Sequence, residues 1–80
     1  MRPRAIAVEP QADYKVLVTF SGNEKRLFDV APYLVLPAFK GIKELFNTVH
    51  VAGLSIAWEN GVDICPDELY YDSIQVSTLV

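Results

Sequence analysis

Tyr14-Lys15-Val16-Leu17-Val18-Thr19-Phe20-Ser21-Gly22-Asn23-Glu24-Lys25-Arg26-Leu27-Phe28-Asp29-Val30 reads as two strands folded back on each other. Side chains alternate across a strand, so Tyr14, Val16, Val18 and Phe20 share one face while Lys15, Leu17 and Thr19 share the other. Ser21 to Glu24 is turn-like, and a second strand runs from Lys25 to Val30. A three-residue loop pairs Val16 with Val30 and Val18 with Phe28, which keeps apolar groups together. A two- or four-residue loop sets Val16 against Asp29, because a one-residue slip turns every side chain to the wrong face. The first register is therefore the one expected.

Upstream, Ala5 to Glu9 forms a short strand with Ile6 and Val8 on one face, and Pro10-Gln11-Ala12-Asp13 turns the chain. Three strands in succession make an antiparallel meander. Downstream, Ala31 to Pro37 cannot run as one helix, because Pro37 blocks it and pushes Leu36 toward extended geometry. From Ala38 to Thr48 the apolar positions Phe39, Ile42, Leu45, Phe46 and Val49 recur at helical spacing. Gly41 weakens that helix by up to about 1 kcal/mol relative to Ala, so it can divide into two abutting turns.

Val49-His50-Val51 returns to strand, Ala52-Gly53 turns, and Ser55 to Glu59 is a further strand. Asn60-Gly61 predicts a type I′ hairpin turn leading into Val62 to Ile64. Pro66-Asp67-Glu68 opens a short helical turn, with proline at a position that needs no N–H and acids at the positive end of the dipole. Cys65 is a poor cap for it. Ile74 to Val80 alternates weakly, as a tail or an extra strand. The expected fold is α+β: an antiparallel sheet built from two meanders or hairpins, one main helix between them, and a short C-terminal helical turn. Residues 1–80 are expected to form a single domain. Its core is expected to hold Ile6, Val8, Val16, Val18, Phe28, Val30, Phe39, Ile42, Phe46, Val49, Ile56 and Trp58.

The 80 residues are 51% hydrophobic, with seven basic and ten acidic groups. No stretch approaches the ~18–20 apolar residues of a membrane-spanning helix. After Arg2 and Arg4 only Ala5 to Val8 precede Glu9, too short for the apolar core of a signal peptide, so a cytoplasmic setting is expected. One cysteine cannot form an internal disulfide, which agrees with that setting. Residues 1–43 hold every basic group and are net +3; residues 44–80 hold acids alone and are net −6. Either the halves interleave in space and the charges mix, or the surface is bipolar and steers a partner.

Candidate chemistry is sparse. A zinc site needs three or four ligands, and His50 with Cys65 supplies two. The same pair lacks a glycine-rich turn and a third orienting group for nucleophilic catalysis. His50 is read as a solvent-facing strand residue between inward Val49 and Val51. Glu59, Asp63, Asp67, Glu68 and Asp72 are read as a solvated hairpin and a helix N-terminus rather than a cation site. No catalytic, metal-binding or cofactor-binding residue is expected, and no cofactor. Trp58, Asp63 and Tyr70 are the residues around which a small pocket could form. Trp58 is expected to anchor the second hairpin. Tandem Tyr70-Tyr71 cannot bury both rings from one short helix, so one faces outward.

Trp58-Glu59-Asn60-Gly61-Val62-Asp63-Ile64-Cys65-Pro66-Asp67-Glu68-Leu69-Tyr70 resembles a small bacterial family known as domain of unknown function 2442. Upstream, Val8-x-Pro10, Val18-Thr19-Phe20 with Gly22, Arg26-x-Phe28-Asp29-Val30 and Pro32-Tyr33-Leu34 are similar to its opening strand and central block. Phe39, Leu45-Phe46 and Val49-x-Val51 are similar to its helix and return strand, so the likeness spans about residues 3–71. The resemblance implies an α+β fold with an antiparallel sheet. It also implies a domain that precedes a helix-turn-helix in some relatives and is often encoded beside another small protein, as in toxin–antitoxin pairs. These 80 residues contain no helix-turn-helix pattern. The family carries no established catalytic residues.

The expected function is a non-enzymatic protein-interaction module that forms a homo-oligomer or pairs with a small genomic neighbour. The alternative is a DNA-associated regulator or antitoxin using Arg2, Arg4, Lys25 and Arg26, against which the sequence pI of 4.9 argues. The residues left outside the expected core are Leu17, Val35, Leu36, Tyr70, Tyr71, Ile74 and Val76, and any interaction surface is expected there.

Overall fold

The alternating run from residue 15 to 29 forms the centre of a four-stranded antiparallel sheet in a computed structural model that describes residues 3–76. β1 (Ala5–Gln11), β2 (Lys15–Phe20) and β3 (Glu24–Asp29) make the meander, and β6 (Ile74–Gln75) adds to its far edge in the order β1-β2-β3-β6. β4 (His50–Ala52) and β5 (Ser55–Ala57) form a separate two-stranded pair. It joins the first sheet where the Ala5 amide donates to the Leu54 carbonyl at 3.2 Å. α1 (Ile42–Leu45) and α2 (Pro66–Tyr71) are the α-helical segments.

The first hairpin has the expected three-residue loop but a different register. Phe20 pairs with Glu24, Val16 with Phe28 and Val18 with Arg26. Val30 lies opposite Tyr14, to whose carbonyl its amide donates at 2.9 Å. The expected pairs Val16–Val30 and Val18–Phe28 are thus displaced by two residues, a shift that keeps every side chain on its face. The turn decides between the two. Gly22 and Asn23 take positive φ, 86° and 66°, and both residue types tolerate it. The other register would move the loop one residue on and put Glu24 in the left-handed position.

A bulge alters β1. Ala5 pairs with Phe20 and Ala7 with Thr19, so Ile6 stands unpaired. Ala5 is therefore the buried residue, and Ile6 is 45% exposed instead of joining the core. Val8 is half-buried against the core from the inner face.

The expected helix over 38–48 breaks into three pieces. Single turns of 3-10 helix span Pro37–Phe39 and Phe46–Thr48, with four-residue α1 between them. The first piece is capped at Lys40, and Gly41 at φ 89° is the residue from which α1 starts. The division into abutting turns thus goes further than the sequence reading. Phe39, Ile42, Phe46 and Val49 still reach the core.

Asn60-Gly61 does not form a type I′ turn. Only Gly61 of the two has positive φ, and the Gly61 amide bonds back to the Trp58 carbonyl at 2.9 Å. Asn60 Oδ1 instead accepts from the Val62 amide at 3.2 Å. The following segment is held by one bridge between Ala57 and Asp63 rather than by a full strand. The inner face of the large sheet, β5, Trp58, Ile64 and Leu69 enclose the core. A chain of rings runs through it from Tyr33 to Phe39, Trp58 and Phe46. The buried indole N–H of Trp58 donates to the Phe46 carbonyl at 3.2 Å, so the ring is held by both packing and a hydrogen bond.

Candidate interaction surface

Antiparallel partners lie on the same face, so the register maps both sides of the sheet. Val16, Val18, Phe20 and Phe28 point inward and are almost fully buried. On the outer side, Leu17 pairs with Leu27 and Leu27 with Ile74, giving one apolar row across three strands. Glu9 ends the row on β1. Thr19 and Lys25 flank it on one side, with Lys15 and Asp29 on the other. Ile74 is 73% exposed, whereas Leu17 and Leu27 are half-buried by their neighbours. Nothing among the described residues covers this row as α2 covers the inner face.

β6 is only two residues long, and a polar cluster holds it in place. Arg26 and Glu24 lie on the inner face, opposite Val18 and Phe20, at the hairpin end of the core. Arg26 donates to Ser73 Oγ at 2.7 Å, to the Ser73 carbonyl at 2.8 Å and to Glu24 Oε2 at 2.8 Å. The Tyr70 ring lies 4.5 Å from the guanidinium carbon, and its hydroxyl donates to Glu24 Oε1 at 2.8 Å. One guanidinium thus ties β3 to the end of α2 and to the residue before Ile74. The Tyr70 hydrogen bond, then Arg26, holds the Glu24 carboxyl below its ordinary range. The same bond to a carboxylate, then burial, raises the Tyr70 phenol. Elsewhere Tyr33 donates to Glu68 at 2.8 Å, and burial followed by that bond pushes its phenol up to about 12.

Of the residues expected to form a surface, the structure brings Leu17 and Ile74 into one row, with Val76 one step beyond Ile74 on β6's continuation. Tyr70 belongs to the polar cluster and packs edge-on against Phe20, while Tyr71 is 65% exposed against its outer side. Val35 and Leu36 are exposed on the turns between prolines, separate from the row in sequence and in sheet contacts. Leu27 is the member that sequence reading missed. In the register expected there, Leu17 would face Asp29, and the apolar row would not exist. The outward alternation of Leu27 beside inward Phe28 was its only signal.

The expected pocket residues lie in different surroundings. Trp58 is buried against Phe39 and Phe46, Tyr70 packs on Phe20 and Tyr71, and Asp63 is exposed. No hydrogen bond or ring contact joins the three. Arg26 is committed to Glu24, Ser73 and Tyr70, Lys25 donates to Thr19 Oγ1 at 3.0 Å, Arg4 is exposed, and Arg2 lies outside the described residues. His50 is exposed, with Nδ1 at 3.0 Å from the Thr48 carbonyl. No group of three or more His, Cys, Asp or Glu gathers to hold a metal among the described residues. Among the same residues, no helix is long and apolar enough to cross a membrane.

A family model described as "Protein of unknown function (DUF2442)" matches residues 5–75, which is most of the chain and includes every strand described above. The chain belongs to this family. Neither the curated proteins nor the solved structures contain a significant match. For this DUF2442 chain the fold is α+β with antiparallel sheets and short helices. The match extends past the 3–71 span of the resemblance to take in β6, so the strand that carries Ile74 lies within the family region.

Proposed function

We propose that this chain is a protein-interaction module without chemistry of its own, which self-associates or pairs with a small protein encoded beside it. The observation that carries this reading is the Leu17–Leu27–Ile74 row on the outer face of the sheet. An apolar stripe rimmed by Thr19, Lys25, Lys15 and Asp29 has the make-up of a small interface, apolar at its centre and polar at its edge. Light scattering on the purified chain, with affinity capture from its native cell, tests the reading. A Leu27→Lys chain that folds normally is expected to lose the association or the captured partner. A clean monomer that captures nothing would sink it. The DNA-associated reading draws less support, because Arg26 is tied to Glu24 and Ser73 rather than presented to phosphates.

A further inference from the structure

The charges around the apolar row are arranged for one occupant in particular. Lys25 and Asp29 lie on the same strand and the same outer face, two residues to either side of Leu27. At the ordinary rise of a strand each stands about 7 Å from the row, in opposite directions. We propose that the occupant of this face is a second copy of this chain, docked about a two-fold axis that runs along the Leu17–Leu27–Ile74 row. This rests on the interaction reading above and names its partner.

Rotation about that axis turns one sheet over onto the other. Leu17, Leu27 and Ile74 then meet their own copies, as an isologous interface requires. Lys25 of each copy comes over Asp29 of the other, giving two opposite-charge contacts. Lys15 comes over Thr19, so no like charges meet beside the row. Glu9 meets its copy only at the far end, two strands and about 10 Å from Leu27, where solvent reaches. An axis along the strands between β2 and β3 would also bring Lys15 over Asp29, but it would set Ile74 against Glu9 and Lys25 against Thr19, so the apolar row would not match itself. The pattern of one apolar row with opposite charges mirrored across it therefore favours the first axis. Two aligned sheets pack face to face in the same way inside single domains, about 10 Å apart. Among the described residues, Lys25 and Asp29 make only local side-chain bonds, to Thr19 Oγ1 and from the Ala31 amide, and both side chains are exposed.

The test uses the full chain in sedimentation equilibrium and native mass spectrometry. A dimer is expected for the unaltered chain. Lys25→Asp or Asp29→Lys alone puts like charges together twice and is expected to raise the dissociation constant by at least about tenfold at low salt. Mixing the two single variants, or joining them in one chain, restores the opposite pairs and is expected to bring the constant back to within about threefold. Asp29→Lys also removes the acceptor for the Ala31 amide; Asp29→Asn keeps an acceptor and is expected to weaken association less. Thermal melting of each variant separates lost folding from lost association. A chain that stays monomeric at millimolar concentration overturns the two-fold; if it still captures a partner through Leu27, the interaction reading stands without it. A dimer indifferent to the charge changes also overturns this axis, and one indifferent to Leu27→Lys as well overturns the use of this face.

Discussion

The two faces of the four-stranded sheet are made by the same residues in turn, yet they end in opposite surroundings. Val16, Val18 and Phe28 point in and are closed over by β5, Trp58, Ile64 and Leu69. Leu17, Leu27 and Ile74 point out and meet solvent. Both faces carry an apolar row, the outer one flanked by Lys15, Thr19, Lys25 and Asp29, and neither row is closed by its own sheet. What separates them is where the rest of the chain goes. The turns over 31–49 and helix α2 all fall on one side, tied there by contacts such as Phe28–Tyr33 and Phe20–Tyr70. The inner face is a core because later segments return to it. The outer face is left as a surface that carries apolar residues.

That contrast can be broken by substitution, and the largest expected effect lies inside. Phe28→Ala is expected to cost about 3–5 kcal/mol in a urea titration, most of the stability of a small domain. The polar end of the same face comes next. Arg26→Met leaves Glu24 and the Ser73 carbonyl without their cation, and is expected to cost about 1–3 kcal/mol and to release β6. Exchange of the Gln75 and Val76 amides with deuterium reads that release.

The pH dependence sharpens the comparison further, because the shifted groups all belong to the covered side. Glu24 has a lowered folded pKa, so its contribution is full above the ordinary carboxylate range and is lost as pH falls through the folded value. Tyr33 and Tyr70 have raised values, so theirs is full below pH about 10 and is lost as pH climbs through the folded values, about 12 for Tyr33. Tyr70→Phe is expected to move the acid limb of the stability curve to higher pH and to shorten its alkaline limb. Denaturation midpoints measured across pH check both. The smallest effect is on the outer face, where Leu27→Ala is expected to change stability by under about 1 kcal/mol while weakening association.

Much of this was readable from residue order. The alternation over 15–29, the short turn at Ser21 to Asn23, and Pro66 opening α2 all follow from local preferences. The expected core residues other than Ile6 and Val8 are buried, because an apolar residue on the inward phase of a strand or turn has few other places to go. The errors share a cause. The bulge at Ile6, the two-residue register shift and the broken segment at Gly41 each turn on the conformation or pairing of one or two backbone positions, which the alternation of apolar residues does not report. The candidate surface was half visible. Leu17 and Ile74 stood out as unplaced apolar residues, but their joining through Leu27 depended on the register.

Sequence by itself determined the fold class, the inward phase of the main hairpin, and the family to which the chain belongs. Those rest on period, turn chemistry and motif spacing, which act over a few residues. Tertiary structure alone decided that Leu17, Leu27 and Ile74 form a single row, and that Arg26 closes the core instead of facing outward. A shift of two residues keeps every side chain on its face while changing each cross-strand partner. Partners across 47 residues, like Arg26 and Ser73, are chosen by the packing of the whole chain.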